Sequence, residues 1–159
     1  MRVIETGPIL PAVDLATFKA SVHIAVDDLD DDAALTTALE AAESTVSTAT
    51  GRPLTPRAME FTVTRGTWCR WWFPTLPVQD LLALAIDDGA GGCVDQSLDG
   101  AWVQQQHDEP QLVLGNAWAG HSASGDVLRV QARVGYDGVN PAPQLKQAII
   151  LLAKEWFEA

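Results

Sequence analysis

The three histidines, His23, His107 and His121, are the side chains best suited to proton transfer or metal binding near neutral pH, and each lies in a different segment. Nucleophilic catalysis needs a nucleophile beside a base that a third group orients. No histidine stands beside a cysteine pair or within a GxSxG turn. The best local cluster is residues 107–109 (His-Asp-Glu), but adjacent side chains of an extended segment point to opposite sides and do not converge. We therefore expect no catalytic residue, no metal site and no cofactor.

Two further segments have the composition of ligand-binding loops without their full pattern. Residues 27–32 contain five aspartates, but a calcium loop also needs a central glycine and a closing glutamate. A helical pattern begins directly after them, so we predict a solvated loop leading into a helix N-terminus, where the dipole favours carboxylates. Residues 89–92 (Gly-Ala-Gly-Gly) lack the lysine and following helix of a phosphate-binding loop, and we predict a turn between strands.

The densest aromatic segment is residues 68–73, Trp-Cys-Arg-Trp-Trp-Phe. In a strand, side chains alternate between two faces. One face would hold Trp68, Arg70 and Trp72, and the other Cys69, Trp71 and Phe73. The segment could pack in the core, form a subunit interface, since tryptophan and arginine are enriched at binding hot spots, or stack the bases of a single strand.

The charge balance argues against nucleic-acid binding. The 159 residues, enough for one domain with a buried core, include 21 acidic and 10 basic side chains, a net charge of −11. Tight binding to nucleic acid needs lysine and arginine to neutralise phosphates. We therefore exclude a dedicated DNA-binding protein, although an acidic wall would still let DNA pass.

The cysteine content and the hydropathy of the chain indicate the cellular compartment in which the protein is expected. Cys69 and Cys93 are the only cysteines and form no CxxC motif, so we expect them to be free and buried in a reducing compartment. The first residues lack the apolar core of a signal peptide, and no apolar run reaches the about 18 residues that a membrane helix needs. We expect a soluble cytoplasmic product without membrane contact.

Hydrophobic periodicity divides the chain into helices and strands. It predicts helices over about 14–23, capped by Asp14, and over about 31–50, ended by Gly51 and Pro53. The apolar stripe of the longer helix is Leu35, Leu39, Ala42, Val46 and Ala49. From about 59 to 134 the period becomes two, which predicts short strands. The clearest alternations are Leu82, Leu84 and Ile86, and Leu128, Val130, Ala132 and Val134.

A third helix is predicted over about 143–158, with an apolar face and further apolar residues around it. The face is Leu145, Ile149, Leu152 and Trp156, and Ile150, Leu151 and Phe157 lie outside it. A helix that is apolar nearly all round is either deeply buried or docked on a partner. We expect an interface at its end and a second in the aromatic segment. The candidate residues are Leu152, Lys154, Trp156, Phe157, Trp68, Trp71 and Trp72.

These elements predict a single-domain α+β fold over 1–159. The N-terminal helices and the C-terminal helix form a bundle-like core, and a β-strand insertion lies between them. The order of the features resembles the head–tail connector (adaptor) family of tailed phages and gene transfer agents. The corresponding segments are 30–35 and 41–43 in the long helix, 50–54 (Thr-Gly-Arg-Pro-Leu) at its end, 76–81 (Leu-Pro-Val-Gln-Asp-Leu), 134–138 (Val-Gly-Tyr-Asp-Gly), 143–152 and 156–158 (Trp-Phe-Glu).

The resemblance implies a structural subunit and not an enzyme. It implies a homo-oligomeric ring, commonly dodecameric, that docks beneath the portal protein and joins it to a stopper or tail-completion protein, with DNA passing through as non-specific cargo. The expected location is the head–tail junction of a virion or gene-transfer-agent particle made in a bacterial cytoplasm, and the interface candidates would then contact the portal or a neighbouring subunit. The alternative is a small α+β ligand-binding protein or enzyme of unknown specificity. A third is a toxin- or regulator-like module that recognises a peptide through the apolar terminal helix.

Overall fold

A computed structural model describes residues 1–105, 109–120, 122–136 and 142–159. Within these ranges the chain forms three α-helices and eight strands in two sheets, which confirms the α+β fold. The helices are α1 (Leu15–Ser21), α2 (Asp32–Thr50) and α3 (Pro143–Glu158). The strands are β1 (Arg2–Val3), β2 (Arg57–Thr64), β3 (Arg70–Trp72), β4 (Val78–Asp87), β5 (Cys93–Gln96), β6 (Ala101–Gln104), β7 (Gln111–Leu114) and β8 (Val127–Val134).

The ends of the first two helices follow from local side-chain and backbone chemistry. The Asp14 carboxylate caps α1, accepting hydrogen bonds from the Thr17 N–H at 2.7 Å and from its hydroxyl at 2.8 Å. Gly51 ends α2 in the left-handed conformation, with φ of 65°, which glycine adopts without a Cβ clash. Both ends confirm the sequence prediction.

The three helices share one apolar core. In α2, the predicted stripe is buried at Leu35, Leu39, Ala42 and Val46, but its last member, Ala49, is exposed. α1 contributes Phe18, and α3 contributes Ile149 and Ala153. The stripe stops short at Ala49 because α3 covers α2 only in part and leaves an open groove there.

A second core lies between the two sheets. The larger sheet is antiparallel in the order β1-β2-β8-β4-β5, and the smaller in the order β3-β7-β6. The four alternating residues of β8, from Leu128 to Val134, are all buried, which confirms the predicted half-buried strand. Phe61 of β2, Leu112 of β7 and Trp118 of a short 3-10 helix pack against them.

Strand β4 departs from the predicted alternation. Leu84 is buried and Ile86 packs against the core, but Leu82 is exposed. The pairing of β4 with β8 shifts between Leu81 and Ala83, and a bulge of this kind leaves the extra residue unpaired. Leu82 is that extra residue, which explains why it leaves the core face.

The two cysteines and the first strand differ from the sequence expectations. Cys69 and Cys93 are free, as expected, but both are exposed rather than buried, because Cys69 precedes an edge strand and Cys93 begins one. The two-residue strand β1 is too short to leave a periodic pattern. It is held by Arg2, whose Nε donates to Glu60 Oε1 at 2.9 Å.

Replacing Asp14 by alanine should lower the free energy of unfolding by about 1 kcal/mol, because the Thr17 N–H loses its acceptor. Hydrogen bonds from Thr17 hold the pKa of Asp14 below its ordinary value. Stabilisation by such a carboxyl is present above its unfolded-state pKa and is lost as the pH falls through the folded-state value. In urea unfolding, the difference from wild type should therefore be largest at neutral pH and shrink in acid.

Asp14→Asn is the matched control for this cap. It keeps an acceptor oxygen for the Thr17 N–H and removes the charge, so it should retain most of the stability and lose the pH dependence. Equal destabilisation by asparagine and alanine would contradict the capping role.

Candidate assembly surfaces

The exposed apolar side chains of α3 adjoin a groove between α2 and α3. The groove, a shallow cavity of about 530 Å³, is lined by Thr45, Val46, Ala49, Ala148, Leu151, Leu152 and Glu155. We call this surface the helical groove. Leu151 is 58% exposed, and Trp156, one turn beyond Leu152, is 43% exposed. Exposed side chains of this size beside an apolar groove are typical of a protein contact.

The orientation of α3 differs from the predicted one. The buried line runs through Ile149 and Ala153, and Trp156, predicted on the apolar face and as an interface residue, is 43% exposed. Ile150 and Phe157, predicted outside that face, pack against the helical core. Trp156 lies in the last turn of α3, which runs from Pro143 to Glu158, and its exposure goes with this place at the end of the helix. Lys154 is half-buried, with its Nζ 3.7 Å from Glu158 Oε1.

The aromatic segment divides between the core and the surface. Trp71 and Phe73 make edge-to-face contacts with each other and with Phe61, with ring centroids 4.9–5.9 Å apart. Trp68 is half-buried, and the Arg65 guanidinium lies 4.8 Å from its ring centroid. Trp72 alone of these tryptophans is mostly exposed. Of the predicted interface residues in this segment, Trp72 is therefore the one that the fold presents to solvent.

Trp72 belongs to a surface on the outer face of the smaller sheet. The register pairs Trp72 with Gln111, and Trp102 with Val113, so both tryptophans stand on the same face. Trp72 is 55% and Trp102 47% exposed. We call this surface, formed by Arg70, Trp72, Trp102 and Gln104, the sheet patch. Trp102 was predicted only as part of a strand, because its exposure depends on the pairing of distant strands.

Arg70 supplies the positive charge of the sheet patch. Its Nη1 donates to Gln104 Oε1 at 2.8 Å and to Gln111 Oε1 at 3.3 Å. Both acceptors are neutral amides, so these contacts orient the guanidinium without neutralising it. An oriented arginine between two exposed tryptophans is the composition found at binding hot spots.

The acidic loop, residues 26–31, is fixed from beneath by a buried lysine that the sequence analysis missed. The Lys19 ammonium is buried, pairs with the Asp32 carboxylate and donates to the carbonyls of Val26 at 3.3 Å and Asp28 at 2.5 Å. The loop in turn exposes Val26 (63%) and Leu29 (70%). The signal available in the sequence was the position of Lys19 directly after Phe18, an apolar residue of a short predicted helix.

The side chains that could bind a metal ion are the histidines, cysteines and carboxylates of the described ranges. Within these ranges, no three histidine, cysteine or carboxylate side chains are grouped to hold a metal ion. The cluster at 107–109 and His121 fall largely outside the described residues, and His23 is exposed. In the described part of the chain, no helix is long and apolar enough to cross a membrane.

No protein-family model and no curated protein sequence matches this chain, but solved structures do. A chain from the neck of an empty GTA particle, computed with C6 symmetry, has 23% identity and a TM-score of 0.80, covering 100% of this chain and 85% of that one. A chain from the neck of a native GTA particle, computed with C12 symmetry, has 23% identity and a TM-score of 0.77, covering 100% and 84%.

A third similar chain comes from the virion of a native gene transfer agent (GTA) particle, with 23% identity and a TM-score of 0.76, covering 100% of this chain and 85% of that one. At this level of identity the likeness establishes the fold. Because it covers the whole of this chain, the helical part and the β part occur together in the same arrangement in those proteins.

The two adjacent tryptophans Trp71 and Trp72 provide a test of this division between core and surface. Trp71→Ala should lower the free energy of unfolding by about 3 kcal/mol, because it removes the ring that packs on Phe61 and Phe73. Trp72→Ala should change it by less than about 0.5 kcal/mol, as for other surface substitutions. Urea unfolding of both variants measures the difference, and a comparable loss in Trp72→Ala would place that ring in the core.

Proposed function

We propose that this chain is a structural subunit of the neck of a phage-like or gene-transfer-agent particle, a head–tail connector (adaptor). The observation that supports it best is the full-length likeness to chains from GTA necks. Subunits of this kind would form a homo-oligomeric ring between the portal protein and a stopper or tail-completion protein. The C6 and C12 symmetries of the similar neck structures fit a dodecameric ring. The protein would be located in the particle, at the junction of head and tail. The proposed role requires no cofactor and no enzymatic activity.

Assembly in such a ring is driven by burial of apolar surface that the single subunit leaves in water. The helical groove with Leu151 and Trp156 offers apolar area at the end of α3. We assign this surface to the portal contact, with Leu152 and Lys154 at its border. Phe157 supports the same helix end from within the core. The net charge of −11 opposes retention of DNA, which would pass through the ring as non-specific cargo.

The proposal predicts that the protein is an integral component of particles released by cells that encode it. Mass spectrometry of purified particles should detect the chain at a constant ratio to the portal, and electron cryomicroscopy should place its fold in a ring at the neck. Purified particles that lack the chain, with portal and tail proteins present, would exclude the proposed function.

Substitution of the exposed end of α3 tests the portal contact. Leu151→Ser combined with Trp156→Ala should leave the protein folded and lower its free energy of unfolding by no more than about 1 kcal/mol, because Leu151 is 58% and Trp156 43% exposed. Incorporation into particles should fall at least about tenfold, because truncating an interface tryptophan commonly costs about 2 kcal/mol of binding. Quantitative immunoblotting of purified particles measures this loss.

Two control variants separate binding from folding. Gln144→Ala changes an exposed residue in the first turn of α3 and should incorporate normally. Phe157→Ala should reduce stability, because Phe157 packs against the helical core. Normal incorporation of the Leu151→Ser/Trp156→Ala variant would show that the portal contact does not lie at the helical groove.

A further inference from the structure

The acidic loop and the sheet patch lie on different parts of the molecule. The C-terminal end of α2 contacts the β part, where Thr75 Oγ1 donates to the Gly51 carbonyl at 3.1 Å and Arg52 Nη1 to the Tyr136 hydroxyl at 3.1 Å. The acidic loop precedes the opposite end of α2. A helix of 19 residues is about 28 Å long at 1.5 Å per residue. The loop is therefore presented far from the contact between the helical and β parts.

The buried lysine gives the acidic loop a fixed shape. A buried ammonium is costly unless it is paired and hydrogen-bonded, and Lys19 is satisfied by loop carbonyls and by Asp32. Changing the loop conformation would remove two of the acceptors of this charge, the carbonyls of Val26 and Asp28. Val26 and Leu29 are thus held in water by a preorganised loop, and preorganisation lowers the entropy cost of docking.

The sheet patch has the complementary properties. Its two exposed tryptophans offer flat apolar surface, and the Arg70 guanidinium is oriented by neutral amides. In a chain with 21 acidic and 10 basic residues, most surface contacts between copies would be repulsive. The sheet patch is a surface where an acidic segment of another copy meets both apolar area and an opposite charge.

We propose that the acidic loop of one copy docks on the sheet patch of the next copy. Val26 and Leu29 pack on Trp72 and Trp102, and the loop carboxylates face Arg70. The interface is head-to-tail, because two different surfaces of the same chain meet, and such interfaces form a ring where the rotation from copy to copy closes. This inference rests on the proposed function and names the contact that joins neighbouring subunits.

A symmetric pairing of two sheet patches is the competing arrangement. It would bring the Arg70 side chains of both copies together, and like charges at an interface are unfavourable. It would also stop at a dimer, since a twofold interface uses the same surface on both copies. The two arrangements therefore differ in the size of the covalent products that cross-linking yields.

The test uses a cysteine pair across the proposed interface. Native Cys69 is exposed and directly precedes Arg70 in the chain, and Ala25→Cys in a Cys93→Ser background supplies the second thiol, because Ala25 is exposed directly before the acidic loop. Particles carrying this variant are treated with a short bis-maleimide and analysed by denaturing electrophoresis. We expect a ladder that extends beyond dimers. The Cys93→Ser parent, with Cys69 alone, should stay monomeric, and a dimer in both proteins would instead support the symmetric pairing and overturn the proposal.

Charge reversal provides an independent measurement in the same particles. Arg70→Glu should lower incorporation at least about tenfold, which corresponds to about 1.4 kcal/mol. Asp30→Arg added to Arg70→Glu should restore it, since the Asp30 side chain lies in the exposed loop. Failure of this restoration, or the absence of a ladder that requires the Ala25→Cys substitution, overturns the docking. The proposed function stays intact in that case when the wild-type chain is present in particles. Absence of the wild-type chain from particles overturns both.

Discussion

The central position of strand β8 is the constraint on which the rest of the fold depends. It pairs with β2 on one side and β4 on the other, and its inward side chains fill the core between the sheets. Each fully buried valine or leucine contributes about 1.5–3 kcal/mol relative to exposure. Because β2 follows α2 and β8 precedes α3 along the chain, the pairing of these strands also brings α2 and α3 together.

Two separate cores determine where apolar surface remains exposed. The smaller sheet turns Trp71 and Leu112 toward the β core, and Trp72 and Trp102 on its outer face are about half exposed. In the helical part, α3 buries Ile149 and Ala153 against α2 and leaves the helical groove open. Both surfaces therefore follow from how the cores are filled, and neither requires a special loop.

Much of the architecture could be predicted because it depends on neighbouring residues. The Asp14 cap, the Gly51 helix end and the alternation in β8 are local patterns whose physical cause acts over a few residues. The order of helices and strands along the chain could be predicted for the same reason. The sequence likewise contains no recognisable catalytic cluster, and its acidic balance opposes nucleic-acid binding.

The tertiary structure decided which side chains are exposed. The periodicity of α3 did not show that Trp156, in its last turn, would be 43% exposed while Phe157 packs against the helical core. A bulge placed Leu82 outside the core, and strand pairing placed Trp102 on the same face as Trp72. The role of Lys19 in holding the acidic loop depends on its hydrogen bonds to the loop carbonyls, which the sequence does not show. The sequence by itself determined the elements and their order, whereas exposure depends on contacts between residues far apart in the chain, which only the folded structure brings together.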